Sequence, residues 1–290
     1  WLDVAEPEYS VYDFKNYRYQ LGSVQEVGNI YPKYYLKAFY DGMTAEGDTM
    51  PISLIRSAWA GSAKYGALVW SGDIVSTFEC FRRQVQAGLN MAVAGIPWWT
   101  TDIGGFHGAR TDDPDFHRLY IRWFEYGCFC PVMRLHGNRN PQEGYGAEQI
   151  GSGSDNEIWS FGDEAYEISK KYIFLRERLR DYIRTQMKKT HEDGTPMMRP
   201  VFYDFPTDQE SWNVEDAYLF GPDLYVAPVM EDHVTEREVY LPDGTAWFNA
   251  WTGEKYEGGQ NVTVAAPLDT IPVFVKEGAD AEKLLNIFSE

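Results

Sequence analysis

The stretch Leu68-Val69-Trp70-Ser71-Gly72-Asp73 places the tightest constraint on how this chain can fold. An apolar run preceded by Tyr65 and Gly66 ends in a bulky aromatic, a small residue, a glycine and a carboxylate. Apolar residues bounded by turn formers read as a buried strand. Gly72 lets the backbone bend at the strand's end, and Asp73 projects where the chain leaves the sheet. A helix start follows: Ser76 stands three residues before Glu79, the spacing of a capping box. Phe78, Phe81, Val85, Leu89 and Ala92 then recur at helical spacing. Strand, acidic residue at its C-terminal end, then amphipathic helix is the repeating unit of a (β/α)8 barrel. Taken alone, Asp73 reads as a turn or helix-capping aspartate. The rest of the chain reverses that reading.

The same arrangement recurs on either side. Trp1-Leu2-Asp3-Val4 is a short strand-like piece followed by Ala5-Glu6-Pro7-Glu8, so Asp3 and Glu6 fall at or just beyond a strand's C-terminal end. Residues 9 to 29 show no clear periodicity and read as a loop. Pro32 opens a helix with apolar positions at Tyr35, Leu36, Phe39, Tyr40 and Met43, ending near Gly47. Ile52 to Ser57 is a strand with Arg56 at its far end. Gly95 to Asp102 is another strand-to-loop passage, and Asp113 before Pro114 starts a helix whose buried side carries Phe116, Leu119, Tyr120, Trp123 and Phe124. Pro131 to Gly137 reads as one more strand, ending in Arg134 and His136. Residues 138 to 160 are polar and glycine-rich, the profile of a loop over a site. One long helix with Tyr166, Tyr172, Leu175, Leu179 and Tyr182 closes this region before Gly194.

From Pro200 the texture changes. Short runs such as Leu224 to Ala227, Glu238 to Leu241 and Ile271 to Val275 alternate with turns at Asp243-Gly244 and Gly258-Gly259. This predicts an antiparallel β domain of sandwich type. The expected division is residues 1–195 for the barrel portion and 196–290 for the β domain.

Composition removes several classes. A net charge of -18 disfavours nucleic acid and anionic membranes as partners. Aromatic residues make up 16% of the 290, with 10 Trp and 20 Tyr, which suits sugar-stacking surfaces as well as a core. No run approaches the roughly 18 apolar residues that span a bilayer. Cys80, Cys128 and Cys130 offer neither a disulfide framework nor a paired zinc motif, and read as small buried hydrophobes. The 5 histidines are scattered with no H-x-x-x-H pattern, so metal-assisted hydrolysis is a weak rival and no metal or cofactor is expected.

Polar residues at successive strand ends, Asp3, Arg56, Asp73, Asp102 and His136, therefore converge on one pocket. Two carboxylates with aromatics and cation or imidazole donors, and no metal cluster, fit glycoside hydrolysis. Trp1, Trp70, Trp98 and Phe106 would wall a sugar, while Arg56, Asp102, Arg134 and His136 would hold its hydroxyls, with Glu6 in support.

Trp1-Leu2-Asp3 with Glu6, Arg56-Ser57, Trp70-Ser71-Gly72-Asp73, Asp102-Ile103-Gly104-Gly105-Phe106 and Arg134-Leu135-His136 together resemble glycoside hydrolase family 31 in order and spacing. That family includes α-glucosidases, α-xylosidases and α-1,4-glucan lyases. The resemblance implies that Asp3 is the nucleophile and Asp73 the general acid/base. It also implies that Arg56, Trp70, Asp102, Phe106 and His136 line the subsite for the non-reducing sugar, with Trp1 as a wall. Ala5-Glu6-Pro7-Glu8 and Trp99-Thr100-Thr101-Asp102 look most like the α-xylosidase branch, which acts on xyloglucan-type oligosaccharides. An α-glucosidase, a lyase and a non-catalytic sugar-binding relative are the alternatives. Retention of both Asp3 and Asp73 speaks against the last.

The family's barrel begins well before its nucleophile strand and follows a β-sandwich. Only about strands four to eight are expected here, with a preceding segment or a second chain completing the barrel against Trp1, and homo-oligomerisation as a further option. The 290 residues alone are expected to be inactive. A retaining mechanism would set the carboxylate oxygens of Asp3 and Asp73 about 5–5.5 Å apart.

Overall fold

The computed structural model describes residues 1–6, 15–140, 154–278 and 280–289. Pro7 and Glu8, and most of the loop expected over 138–160, lie outside the described residues. A hairpin, β1 (Arg18–Tyr19) and β2 (Gly22–Ser23), and a short helix α1 (Val24–Val27) occupy part of the stretch expected as loop. Helix α2 (Tyr31–Ala45) has Pro32 in its first turn and buries Pro32 and Leu36. Its apolar stripe runs out into solvent at Phe39 and Met43.

Three parallel strands make the barrel part: β3 (Ser53–Ile55), β4 (Ala67–Trp70) and β5 (Trp99–Thr100). Ile55 faces Val69 across the first pair, and Trp70 faces Thr100 across the second. Two flanking segments extend the layer without becoming full strands. Leu2 bridges Ile55 in parallel, its N–H donating to the Leu54 carbonyl at 2.7 Å. On the other side Val132 donates to the Trp99 carbonyl at 3.2 Å, and Ile103 donates to that of Arg134 at 3.4 Å. The strand expected at Pro131 to Gly137 is thus an irregular segment running beside β5. Proline at its head removes one ladder donor, which limits regular pairing.

Helices α3 (Phe78–Val93) and α4 (Pro114–Cys128) cover the strands. Helix α3 is capped by Thr77, which accepts from the Cys80 N–H at 3.1 Å, one residue later than the expected Ser76 box; Glu79 instead pairs with Arg83. Its inward positions Phe81, Val85, Leu89 and Ala92 are buried as the spacing predicts. Phe81 stacks on Trp123 of α4 at 4.9 Å. Gly88 is needed there because a Cβ would meet the Trp99 indole at 2.7 Å. Asp113 caps α4 through the Asp115 N–H, as expected. Cys128 and Cys130 are buried in this core, and burial pushes both thiols up to about 12.

The long helix expected before Gly194 is two, α5 (Gly162–Arg178) and α6 (Arg180–Asp193), broken at Leu179. Next comes a six-stranded antiparallel sheet: β6 (Met198–Arg199), β7 (Tyr218–Phe220), β8 (Leu224–Val226), β10 (Ala246–Asn249), β11 (Lys255–Glu257) and β13 (Val273–Lys276). Strands β9 (Glu236–Leu241) and β12 (Gln260–Ala265) form a second layer, and α7 (Ala281–Ser289) ends the described chain. Alternate residues of β7, β8 and β13 belong to two cores. Tyr218, Phe220, Leu224, Val226, Val273 and Val275 join the core shared with the barrel, while Leu219, Tyr225 and Phe274 join that of the β layers. Both faces being covered, these strands read as continuous apolar runs.

Candidate active site

Because the strands are parallel, their C-terminal ends share one rim. Asp3 follows the Leu2 bridge, Arg56 follows β3, Asp73 lies three residues beyond β4, and Asp102 two residues beyond β5. Gly72 turns the chain with φ +78°, a conformation that L side chains rarely adopt, so the turn that presents Asp73 calls for glycine. Val4, directly after Asp3, also has positive φ (53°), and its N–H donates to Asp3 Oδ1 at 2.9 Å.

Arg56 ties the first group of residues together. Its Nη1 lies 3.4 Å from Asp3 Oδ1 and 3.7 Å from Asp73 Oδ2, while Nη2 donates to Glu6. One nitrogen therefore faces both candidate catalytic carboxylates, each about half exposed on the rim. Arg56 is mostly buried beneath them.

Behind them lies a second group. Asp102 is fully buried, with Oδ1 accepting from Arg134 and Oδ2 without a partner among the described residues. Burial pushes its carboxyl up to about 6, against the opposing pull of the Arg134 guanidinium; Asp73 and Arg139 also face it. The Arg134 guanidinium lies 5.3 Å from the Trp1 ring centre and 5.8 Å from that of Trp70. Trp1 meets Trp70 edge-on at 5.9 Å and His136 at 5.1 Å, and Phe106 stacks on His136 at 5.5 Å. His136 is half-buried, and desolvation holds its pKa below the ordinary histidine value, with Arg134 and Arg139 adding to the effect. Trp70 is buried, whereas Trp1 is 65% exposed.

Ten of the eleven residues singled out from the sequence thus meet in one cluster. Trp98 does not. It is half-buried, gives its backbone carbonyl to the Val69 N–H at 2.9 Å, and has no ring contact among the described residues.

The loops carrying these groups are stitched together. Ile74 O accepts from the N–H groups of Phe106 and His107 at 2.7 and 2.9 Å, and Ser76 N–H donates to the His107 carbonyl at 2.8 Å. A Cβ on Gly105 would meet Ser76 at 2.7 Å, which accounts for glycine at that crossing. Arg139, absent from the sequence reading, lies 1% exposed beneath the same loops. Among the described residues no group of three or more His, Cys, Asp or Glu could hold a metal ion. No described helix is long and apolar enough to cross a membrane.

The model of the glycosyl hydrolases family 31 TIM-barrel domain matches residues 1–186, and that of the family 31 C-terminal domain matches residues 194–279. An α-xylosidase of Saccharolobus solfataricus is 37% identical over 96% of this chain and 37% of its own length. Among solved structures, a GH31 α-xylosidase from a soil metagenome, complexed with xylose, is 56% identical with a TM-score of 0.91, covering 98% of this chain and 43% of that one. A GH31 α-xylosidase from Xanthomonas citri is 37% identical with a TM-score of 0.86, covering 96% of this chain and 31% of that one. The chain thus spans well under half the length of these relatives. Two family models in tandem over nearly all its residues, and the fold of solved members, lead to one conclusion: the chain belongs to glycoside hydrolase family 31.

Proposed function

We propose that this chain forms the C-terminal portion of a retaining exo-acting α-xylosidase that releases xylose from xyloglucan-type oligosaccharides. The observation that carries the reading is the pair Asp3 and Asp73 on one guanidinium nitrogen beside a ring-walled, Asp102-floored pocket. Similarity to proteins named α-xylosidases supports the choice of sugar. Asp3 attacks the anomeric carbon as the bond to the leaving oxygen breaks and Asp73 gives that oxygen a proton. Water then attacks the glycosyl-enzyme, losing its proton to Asp73 and freeing Asp3, so two inversions return the α configuration. The free oxygen of Asp102 accepts from a sugar hydroxyl, and Arg134 keeps that carboxylate ionised. Trp1, Trp70, Phe106 and His136 pack against the sugar. Residues 1–195 supply the barrel portion and 196–290 the β domain.

A segment preceding Trp1, or a second chain, completes the barrel. The exposed apolar residues Phe39, Met43 and Ile52, and Trp1 itself, supply the surface it would cover.

Hydrolysis of nitrophenyl α-xyloside and α-glucoside by the full-length protein tests the sugar assignment. The xyloside is expected to give the larger kcat/KM by about 10–200-fold, the discrimination that one carbon-sized group allows. A larger value for the glucoside would make it an α-glucosidase. NMR of the first product should show α-xylose. The β anomer appearing first would exclude retention, and a product lacking one water would mark a lyase.

A second expected outcome concerns pH. Asp102 must be ionised to accept from the sugar and to pair with Arg134, and its carboxyl titrates at about 6. With Arg134, Arg139 and Asp73 facing it, kcat/KM should fall as pH drops through about 6. A profile flat down to pH ~4.5, short of the ordinary aspartate range near 3.9, would contradict this role.

A further inference from the structure

Arg139 makes four directed side-chain contacts with the loops around the site. Its Nε donates to Asn156 Oδ1 at 2.7 Å, Nη1 to the Gly105 carbonyl at 2.8 Å and to Ser76 Oγ at 3.4 Å, and Nη2 to the Ile103 carbonyl at 3.2 Å. The guanidinium lies 4.6 Å from the Phe116 ring centre. The space around it is fitted to it. A Cβ on Gly137 would meet the guanidinium at 2.5 Å, and one on Gly104 would meet Nη2 at 3.2 Å and the Phe116 ring at 3.3 Å. Glycines 104 and 137 are thus explained by the passage of this side chain, as Gly105 is by Ser76.

The partners belong to the segments that carry the chemistry. Ser76 lies on the loop that begins at Asp73, Ile103 and Gly105 lie between Asp102 and Phe106, and Arg139 itself is three residues past His136. Its Nε and both Nη nitrogens are all engaged by protein acceptors, so it holds the loops rather than a sugar. We infer that Arg139 is a positioning residue, fixing the spacing of Asp73, Asp102 and His136 by tying their three loops to one buried planar cation. A guanidinium suits the task because its donors have fixed directions, whereas an ammonium holds charge without that fork. The inference rests on the function proposed above.

The test uses the full-length enzyme with whichever α-glycoside the wild type hydrolyses, so a wrong sugar assignment does not disturb it. Wild-type inactivity on every α-glycoside would overturn the functional reading and this role with it. Active sites are counted by trapping with a fluoroglycoside, and kinetics are expressed per trapped site. R139K keeps the charge and loses the fork. Its kcat/KM should fall about 10²-fold, the cost of a misplacement near 1 Å, with the acid limb of the pH profile unmoved. R139M also removes a cation that faces Asp102, so its acid limb should move to higher pH. A mere structural prop behaves otherwise: variants would lose melting temperature and trapped sites but keep wild-type kcat, KM and acid limb per site. That pattern overturns the inference. Should R139M not fold, R139K decides alone, and per-site constants within about twofold of wild type would overturn it.

Discussion

Replacing Asp3 by alanine should abolish turnover of every α-glycoside, whereas replacing Asp73 should do so only for those with poor leaving groups. Asp3→Ala removes the attacking oxygen, and loss of a nucleophile costs on the order of 10⁴–10⁶-fold whatever is displaced. Asp73→Ala removes proton donation, worth about 10²–10⁴-fold for an alkoxide leaving group and little for a fluoride or dinitrophenolate. The Asp73 variant should therefore still form the glycosyl-enzyme from such activated substrates and stall there, because no base remains to deprotonate water. Azide needs no deprotonation, so it should restore turnover and yield the α-glycosyl azide. Each variant leaves Arg56 one of the two carboxylates it faces, and Glu6 besides, so the local charge pairing is weakened rather than dismantled. Equal losses on natural and activated substrates in both variants would mean that the roles are wrongly assigned.

How much of this could be seen in the sequence depends on what each residue's neighbours are. The rim was legible because a parallel strand leaves a local mark: an apolar run, a turn former, then a polar residue, as in Val69-Trp70-Ser71-Gly72-Asp73. Where regular pairing fails, that mark misleads. Pro131 to Gly137 has the texture of a strand, yet its described backbone contacts to β5 and the following loop are only two. Capping gave a mixed result for a related reason. Ser76 and Thr77 are adjacent hydroxyl residues, and their order does not reveal that Ser76 is drawn into the loop crossing with Gly105 and Arg139. Ser23 and Glu26 carry the same signature and do use it, the Glu26 carboxylate accepting from the Ser23 N–H and hydroxyl in the stretch expected as loop. Arg139 had no local signal at all. A buried arginine looks like a surface one until its carbonyl partners are known, and the nearest hint was glycine at 104 and 137. Trp98 shows the opposite case, since an aromatic at a strand need not have a ring partner in the cluster even when, as here, the register places it on the face of Trp70.

The largest expected loss of stability lies away from the pocket, where α4 meets the β domain. Arg122 is 3% exposed and donates to the carbonyls of Ala266, Pro267, Thr270 and Val234 at 2.7, 3.0, 3.2 and 3.2 Å, and to Glu125 Oε2 at 3.2 Å. One guanidinium thus gathers two segments of the β domain onto a barrel helix. Glu125 is fully buried, and desolvation pushes its carboxyl up to about 8 although Arg122, Tyr172 and Lys171 pull it down. Its pKa in the unfolded chain is about 4.3. The folded state therefore binds the proton more tightly. The resulting stability is fully present below about pH 4 and is lost as pH rises toward about 8. The resistance of the full-length enzyme to thermal unfolding should accordingly fall between pH 5 and 8 in a way that Glu125→Gln removes. Arg122→Met strips four buried carbonyls of a donor and leaves Glu125 without its nearest cation, at a cost of about 3–5 kcal/mol. That cost should be larger at pH 9 than at pH 6, because losing Arg122 pushes the Glu125 carboxyl higher still, so the folded variant must keep its buried proton against a solution in which the unfolded chain has long released it. An equal loss at both pH values would mean that the carbonyl contacts alone hold the β domain and that Glu125 has no share in it.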